Sequence, residues 1–507
     1  MTAYHQAMEF YQDGPELTNT FHSDPLLKSF LKSTLSPDAF KQTSQHLEHL
    51  GNRAVTDLLQ FSREAEAEPP VHVPYDPWGR RIDDLKTSVA WKNLEIAAAT
   101  EGIVATAYER KLGDQSRIYQ MALLYLYHPS SAFFSCPLAM TDGAARAIEL
   151  YGDESLKQNA FRHLTSRDPA KFWTAGQWMT ERTGGSDISG TMTTAEPTSE
   201  KLNFSATHLL RGTKWFTSAT TSQMAMTLAR PTGAVEGSRG LSLFYLELRD
   251  EKNNLRNIEI HRLKDKLGTK ALPTAELSLK GTPAQLVGGM GDGVKKIASL
   301  FNVTRVYNSM CALGQMRRAL DLAQSYSRKR KAFGKLLIDH PLHALTLKDL
   351  ETEFAKCFRL CFFVAGLLGK DECGTATENE KLLLRALTPI LKLYTAKKNI
   401  AICSEVLECF GGAGYIEDTG IPRLLRDAQV LAIWEGTTNV LSLDMLRAFQ
   451  KENALPAVLE YLKKSNVDMT EMNQLLAEIQ KKGAEFQEVS ARKMAFLIAE
   501  LMAASLV

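Results

Sequence analysis

The spacing of apolar residues changes twice along this chain, and no single layer of helices or strands can accommodate both changes. Up to about Phe61, and again from about Asp83 to Leu164, apolar side chains recur at helical spacing, as in Leu26, Leu27, Phe30, Leu31 and then Leu47, Leu50, Val55, Leu58, Leu59. From Phe172 to about Val287 short β-rich runs take over at 172–180, 209–217, 224–229, 241–248, 258–263 and 275–279, separated by Gly, Pro, Asn and Asp. Helical spacing then returns in long patterns over 294–330, 342–368 and 379–410. Six close strands suit a small barrel or sandwich, and the long helices suit a four-helix bundle. The expected fold class is therefore α+β and multidomain. A helical domain spans 1–170, a β domain 171–288, a helical bundle 289–450 and a helical extension 451–507, with ligand crevices where they meet.

Two passages interrupt the first helical stretch. Pro69, Pro70, Pro74 and Pro77 exclude regular helix or central strand around 68–79, so this segment should wrap over a surface. The run 118–141 lacks Asp, Glu, Lys and Arg and is long enough to span a bilayer, but His128, Pro129, Ser130 and Ser131 divide it. It reads as two buried helices joined by a turn, and Thr141-Asp142 reads as a further helix start.

Charge and cysteines restrict the function classes. With Lys+Arg 60 against Asp+Glu 58 the net charge is +2, so no global field draws the chain to nucleic acid or an anionic membrane. From Lys451 onward there are 7 basic and 8 acidic residues, so there is no basic tail. Seven scattered cysteines without C-x-x-C spacing suit buried thiols in a reducing compartment, and no metal site is expected. The N-terminus carries Glu9, Asp13 and Glu16 and no apolar or Arg-rich leader, which favours the cytoplasm.

The stretch 426–439 carries the chemistry. Glu435 is a lone carboxylate among Leu431, Ile433 and Trp434, followed by Gly436. Loss of water disfavours the charged form of such a carboxyl and moves it towards the range of a base that takes protons from carbon. A plain helix start is the alternative reading of the same residues.

Four motifs in order resemble the acyl-CoA dehydrogenase flavoprotein family over roughly residues 90 to 450. They are Met179-Thr180-Glu181-Arg182-Thr183-Gly184-Gly185-Ser186-Asp187, Lys214-Trp215-Phe216-Thr217-Ser218, Arg330-Lys331-Ala332-Phe333-Gly334-Lys335, and Phe410-Gly411-Gly412-Ala413-Gly414-Tyr415 through Trp434-Glu435-Gly436-Thr437. The long N-terminal part, Trp78-Gly79-Arg80-Arg81-Ile82-Asp83 and Thr180-Glu181-Arg182 resemble the branch that contains the alkylation-response flavoprotein AidB.

The resemblance implies FAD as cofactor, a fatty acyl-CoA as substrate and Glu435 as catalytic base. It implies cofactor contacts at Met179, Thr180, Gly185, Ser186, Trp215 and Thr217, with the Thr217 hydroxyl donating to flavin N5. It also implies cofactor contacts at Arg330, Phe333, Gly411, Gly412, Thr437 and Asn439, several of them crossing between subunits of a dimer or tetramer. Substrate contacts fall to Ser186, Thr304, Arg305 and Gly436, and an electron-transfer flavoprotein becomes an expected partner. His340-Pro341, Glu408 and Asn302 depart from residues common in the family. Thr304 occupies a position where some members carry their base, which leaves Glu435 as the candidate here. Two other readings share these residues: a DNA-associated flavoprotein, for which the run Arg328-Lys329-Arg330-Lys331 would serve, and a lipid sensor that sequesters acyl-CoA.

Overall fold

The computed structural model describes residues 12–199 and 204–506, and the N-terminal expectation at Glu9 lies outside them. Pro25–Thr34 (α1) and Pro37–Arg53 (α2) begin as their sequences prescribe. Asp24 and Ser36 accept the N–H groups of Leu27 and Ala39, and each helix has Pro at its first position, where the missing N–H would have no partner anyway. Asp57–Ala67 (α3) follows.

The proline passage is more regular than expected. Val71–Tyr75 (β1) and Arg81–Lys86 (β2) form a two-stranded antiparallel ribbon, in which every strand has a free edge that tolerates Pro74. Helix resumes at Val89–Thr100 (α4), later than the expected Asp83. Asp83 instead adopts a left-handed conformation, pairs with His72 at 2.8 Å and accepts the N–H of Ile260 at 3.1 Å, so it ties the ribbon to the β domain.

Ala105–Glu109 (α5), Ser116–Tyr127 (α6) and Ser135–Tyr151 (α7) come next, then the single turns Glu154–Leu156 (α8) and Arg162–Leu164 (α9). The divided apolar run is two buried helices, α6 and α7, joined through His128–Ser130. The helix start expected at Thr141-Asp142 is absent, because both residues lie inside α7. Thr141 donates back to the Pro137 carbonyl at 2.7 Å, and Asp142 pairs with the buried Arg117 at 2.7 Å. A bond within α7 and a tertiary ion pair have taken over the side chains that would otherwise cap, and Thr141 also accepts the Ala175 N–H at 2.9 Å.

Seven strands build the β domain: Ala175–Trp178 (β3), Thr194–Pro197 (β4), His208–Ser218 (β5), Met224–Pro231 (β6), Ser242–Glu247 (β7), Ile258–Leu263 (β8) and Thr274–Val287 (β9). β6 pairs with β4 and β7, β9 pairs with β7 and β5, and β5 pairs with β4, so the pairing closes into a barrel. β3 joins β6 in parallel, and β8 joins β9. Trp178, Leu210, Phe244, Leu246, Ile260 and Leu277 fill the interior. Strand β4 was not expected, since four residues carry too little alternation to be read.

Gly293–Ser327 (α10), Pro341–Glu372 (α11) and Glu378–Cys409 (α12) are the long helices the spacing predicts. Lys331–Ala332 (β10) and Lys335–Leu336 (β11) form a hairpin between α10 and α11. Ile421–Leu431 (α13) and Thr438–Lys451 (α14) flank the loop that bears Glu435. The extension comprises Leu455–Lys464 (α15), Thr470–Lys482 (α16) and Ala484–Ser505 (α17). Met494, Ile498 and Met502 of α17 are buried in the common helical core. Among the described residues no helix is long and apolar enough to cross a membrane, and all seven cysteines are free.

Candidate active site

Glu435 sits in the link between α13 and α14 in a left-handed conformation, with φ 57°, and is not a helix start. Its own backbone N–H has no acceptor among the described residues. Gly436 follows at φ 106°, and a Cβ there would also lie 2.9 Å from the Leu441 side chain, so the turn requires glycine. Helix α10 supplies the wall. Thr304 donates its hydroxyl to Glu435 Oε2 at 2.7 Å, and one turn later Asn308 donates to the Leu431 carbonyl at 3.1 Å and accepts from the Trp434 indole N–H. The ring of Trp434 packs against Phe133, 6.1 Å between centroids.

Burial raises the Glu435 carboxyl above its ordinary range. The Thr304 hydroxyl, the Arg305 and Lys392 charges and the facing Gln177 amide oppose the shift without cancelling it. Neither cation binds the carboxyl directly. Arg305 pairs with Asp444 at 2.7 Å and approaches the Glu435 carbonyl at 3.4 Å, while Lys392 donates to the Gly436 carbonyl at 2.6 Å. The Arg305 guanidinium is thus already committed to Asp444, so its first role is to brace the loop, and the expected substrate contact would have to share it. Asp444 also holds Arg385 at 2.9 Å.

The barrel meets this loop at β3. Gln177 lies on β3, and its side-chain carbonyl Oε1 is buried without a partner. Two residues on, the strand ends in the turn of the first motif. Met179 is buried, Thr180 half-buried and Ser186 exposed. Main-chain bonds between Glu181 and Gly184 close the turn, and a Cβ on Gly185 would lie 2.5 Å from Thr180 Oγ1. The turn is anchored from beneath, where Glu181 accepts from Lys214 Nζ at 2.9 Å and from the Thr193 hydroxyl at 2.5 Å. Burial would raise the Glu181 carboxyl, but the Lys214 charge and the Thr193 and main-chain bonds outweigh it and leave it lowered.

Trp215 donates its backbone N–H to the Thr180 carbonyl at 3.0 Å, and the Lys264 ammonium stands 4.0 Å from its ring centroid. The Thr217 side chain departs from expectation. Its hydroxyl donates inward to the Ala275 carbonyl at 2.7 Å in a fully buried setting, so a ligand contact at this position falls to the main chain.

Arg330, Phe333, Gly411 and Gly412 are not brought to Glu435. They lie near the far end of α10, where Tyr326 stacks on Phe410 at 4.6 Å. Thr304 and Ser327, the last residue of α10, are 23 residues apart, roughly 35 Å along a helix, and Arg330 lies beyond that end. The Phe333 ring is 97% exposed on a left-handed turn of the hairpin, and Arg330, Gly411 and Gly412 are also exposed. His340 explains one departure from the family residues. Its Nε2 lies 3.0 Å from the Ala332 carbonyl and steadies the hairpin, while Pro341 opens α11. Thr437 and Asn439 line a separate cleft of about 300 Å³ together with Gln429, Lys397 and Arg492.

Sequence reading missed Gln177, Asn308 and Lys392. The first is one glutamine in a short strand. The other two are polar residues within locally apolar stretches of α10 and α12, a signal that exists but does not identify their partners.

The donors present suit a flavin. Exposed hydroxyl and N–H groups cluster at the 180–186 turn, a half-buried indole stands beside it, and an unpartnered buried carbonyl lies between the barrel and the base. A barrel between helical domains, with a half-buried, desolvated carboxylate on the loop before the last bundle helix, defines a flavoprotein oxidoreductase of the acyl-CoA dehydrogenase class. The chain belongs to the acyl-CoA dehydrogenase family and carries an N-terminal domain of the AidB type.

Residues 291–449 match the family described as Acyl-CoA dehydrogenase, C-terminal domain, residues 176–282 the Acyl-CoA dehydrogenase, middle domain, and residues 14–168 the Adaptive response protein AidB N-terminal domain. Acyl-CoA dehydrogenase family member 11 of Caenorhabditis elegans is 46% identical over 457 residues, covering 88% of this chain and 73% of the relative. Among solved structures, Bd2924 in its apo form superposes with TM-score 0.96 at 66% identity, covering 98% of this chain and 99% of that one. Caenorhabditis elegans ACDH-11 in complex with C11-CoA superposes with TM-score 0.93 at 42% identity, covering 99% and 89%.

Proposed function

We propose that the protein removes the α-proton and β-hydride of a medium- to long-chain fatty acyl-CoA, with Glu435 as the base and FAD as the cofactor. The observation that carries this reading is the Glu435 carboxyl itself: raised by burial, aimed by Thr304 and bound directly by no cation. A carboxyl so placed can accept a proton from carbon, whereas one locked in an ion pair cannot do so readily. FAD, when bound, supplies the acceptor for the β-hydride.

The chain's own residues divide the remaining work. Glu435 receives the α-proton on the oxygen that Thr304 does not hold, as the α,β double bond forms. Negative charge develops on the thioester oxygen, and the unpaired Glu435 N–H is available to stabilise it. Met179, Thr180, Gly185 and Ser186 would hold the flavin end of the cofactor, with Trp215 beside the ring and the Thr217 main chain at its edge. Ser186, Thr304, Arg305 and Gly436 line the thioester path. The relative's complex with C11-CoA supports an acyl chain in this length range.

Thr437 and Asn439 would meet the diphosphate, and Arg330, Phe333, Gly411 and Gly412 would complete the site of a second copy. Two observations favour that sharing: the roughly 35 Å of α10 between Thr304 and its end at Ser327, and the exposure of Phe333, Leu342, Leu345, Tyr415 and Ile416 at the far end. A homodimer or a tetramer follows, with an electron-transfer flavoprotein as the expected electron acceptor.

The test is anaerobic mixing of the FAD-loaded protein with saturated acyl-CoAs of increasing length. Rapid loss of the oxidised flavin absorbance over one range of lengths is expected. Tight binding at every length without bleaching would overturn the reading.

A further inference from the structure

Lys392 stands out among the buried cations. It lies on α12 one turn after Pro389, has no exposed surface, and among the described residues forms no ion pair. The one hydrogen bond of its side chain among the described residues is Nζ to the Gly436 carbonyl, at 2.6 Å. A buried ammonium without a carboxylate is costly, and here it is directed at the main chain of the residue after the base.

We propose that Lys392 is a positioning residue that fastens the Glu435-Gly436 turn and so aims the carboxyl at the substrate. This rests on the assignment of Glu435 as the base. Glu435 is in the left-handed region, which side-chain-bearing residues hold only when their surroundings impose it. Thr304 holds the carboxyl, Arg305 approaches the Glu435 carbonyl, and Lys392 holds the next carbonyl along. Three groups from two helices therefore fix three successive points of one turn.

The charged groups around Lys392 are Glu435 on the loop, which favours its proton, and Arg305 on α10, which disfavours it. Asp444 on α14 lies behind and is taken up by Arg305 and Arg385. Burial brings the Lys392 ammonium down to about 7, so its charge changes near neutral pH. While protonated it donates strongly to the Gly436 carbonyl and favours the ionised form of Glu435.

Lys392→Met keeps the volume and removes the donor. In the FAD-loaded variant the rate of flavin reduction at saturating acyl-CoA should fall at least about 30-fold, while the apparent acyl-CoA Kd changes less than threefold. Hydrogen–deuterium exchange of the peptide covering 431–440 should quicken. The infrared band of the Glu435 carboxyl, assigned by its loss in Glu435→Gln, should titrate at higher pH. Wild-type reduction rate, or unchanged exchange in 431–440, would overturn the proposal.

If the Met variant does not fold, the wild type decides. Protection of 431–440 should then drop between pH 6 and 9 by more than the intrinsic rise in exchange measured on the unfolded peptide, and constant protection would overturn the proposal. Failure of the wild type to bleach with any acyl-CoA would remove the dehydrogenase reading alone, because the exchange and infrared results bear on Lys392 independently.

Discussion

Glu181 and Glu435 each stand at a turn, each near a lysine with no exposed surface, and they end in opposite states. Lys214 contacts the Glu181 carboxylate directly at 2.9 Å, and Thr193 with two main-chain N–H groups completes its shell, so the carboxyl is lowered. Lys392 is diverted to the Gly436 carbonyl, and the donors facing Glu435 itself are the neutral Thr304 hydroxyl and the Gln177 amide, so the carboxyl is raised. Burial alone pushes both the same way. What separates an anchor from a base is whether the cation binds the carboxylate or the backbone that carries it.

Removing the base should have the largest effect. Glu435→Gln is expected to slow acyl-CoA-dependent flavin reduction by about 10²–10⁴-fold, in line with a lost general base, with acyl-CoA binding preserved. Anaerobic stopped-flow measurement checks it, and full-rate reduction would end the contrast.

Breaking the anchor should leave a buried carboxylate unpaired. Lys214→Met is expected to destabilise the fold by about 3–5 kcal/mol in denaturant unfolding. The same substitution at Lys392 breaks no ion pair and should destabilise the protein less. Equal losses would mean that the two lysines do the same work.

Thr304→Val removes the neutral donor to Glu435 and should destabilise the ionised form by about 1.5–3 kcal/mol, as for hydrogen bonds to charged groups. Because the Glu435 carboxyl is raised, the acid limb of the flavin reduction rate is expected above the ordinary carboxylate value of about 4.3, and in this variant it should move higher still. An unmoved limb would show that the hydroxyl does not tune the base.

The smallest effect is on stability against pH, where the two carboxylates have opposite signs. Glu181, lowered in the folded state, contributes stability above its unfolded pKa and loses it as pH falls through the folded value. Glu435, raised in the folded state, contributes stability at low pH and loses it as pH rises through the folded value. Glu435→Gln should therefore gain stability relative to wild type as pH rises towards neutral. A constant difference across that range would remove the sign.

Much of this was legible beforehand for an identifiable reason. The long helices α10, α11 and α12 declare themselves because periodicity accumulates over some thirty residues, and their ends are within about four residues of expectation. Glu435 was legible because a carboxylate between Trp434 and Gly436 is chemically out of place. Strand β4 and the β1–β2 ribbon were not, because four to six residues beside prolines carry no reliable period. The helix start at Thr141-Asp142 was misread because Arg117, which takes Asp142, is 25 residues away.

The sequence by itself determined the helix–strand–helix order, the family and the residue that acts as candidate base, since each depends on local pattern or motif. Only the tertiary structure decided that Thr217 turns inward to Ala275, that Arg305 is committed to Asp444, that Arg330 and Phe333 lie far from Glu435, and that Lys392 holds Gly436. Those outcomes depend on which partner reaches a group first once water is excluded, and the partners come from helices and strands far apart in the chain.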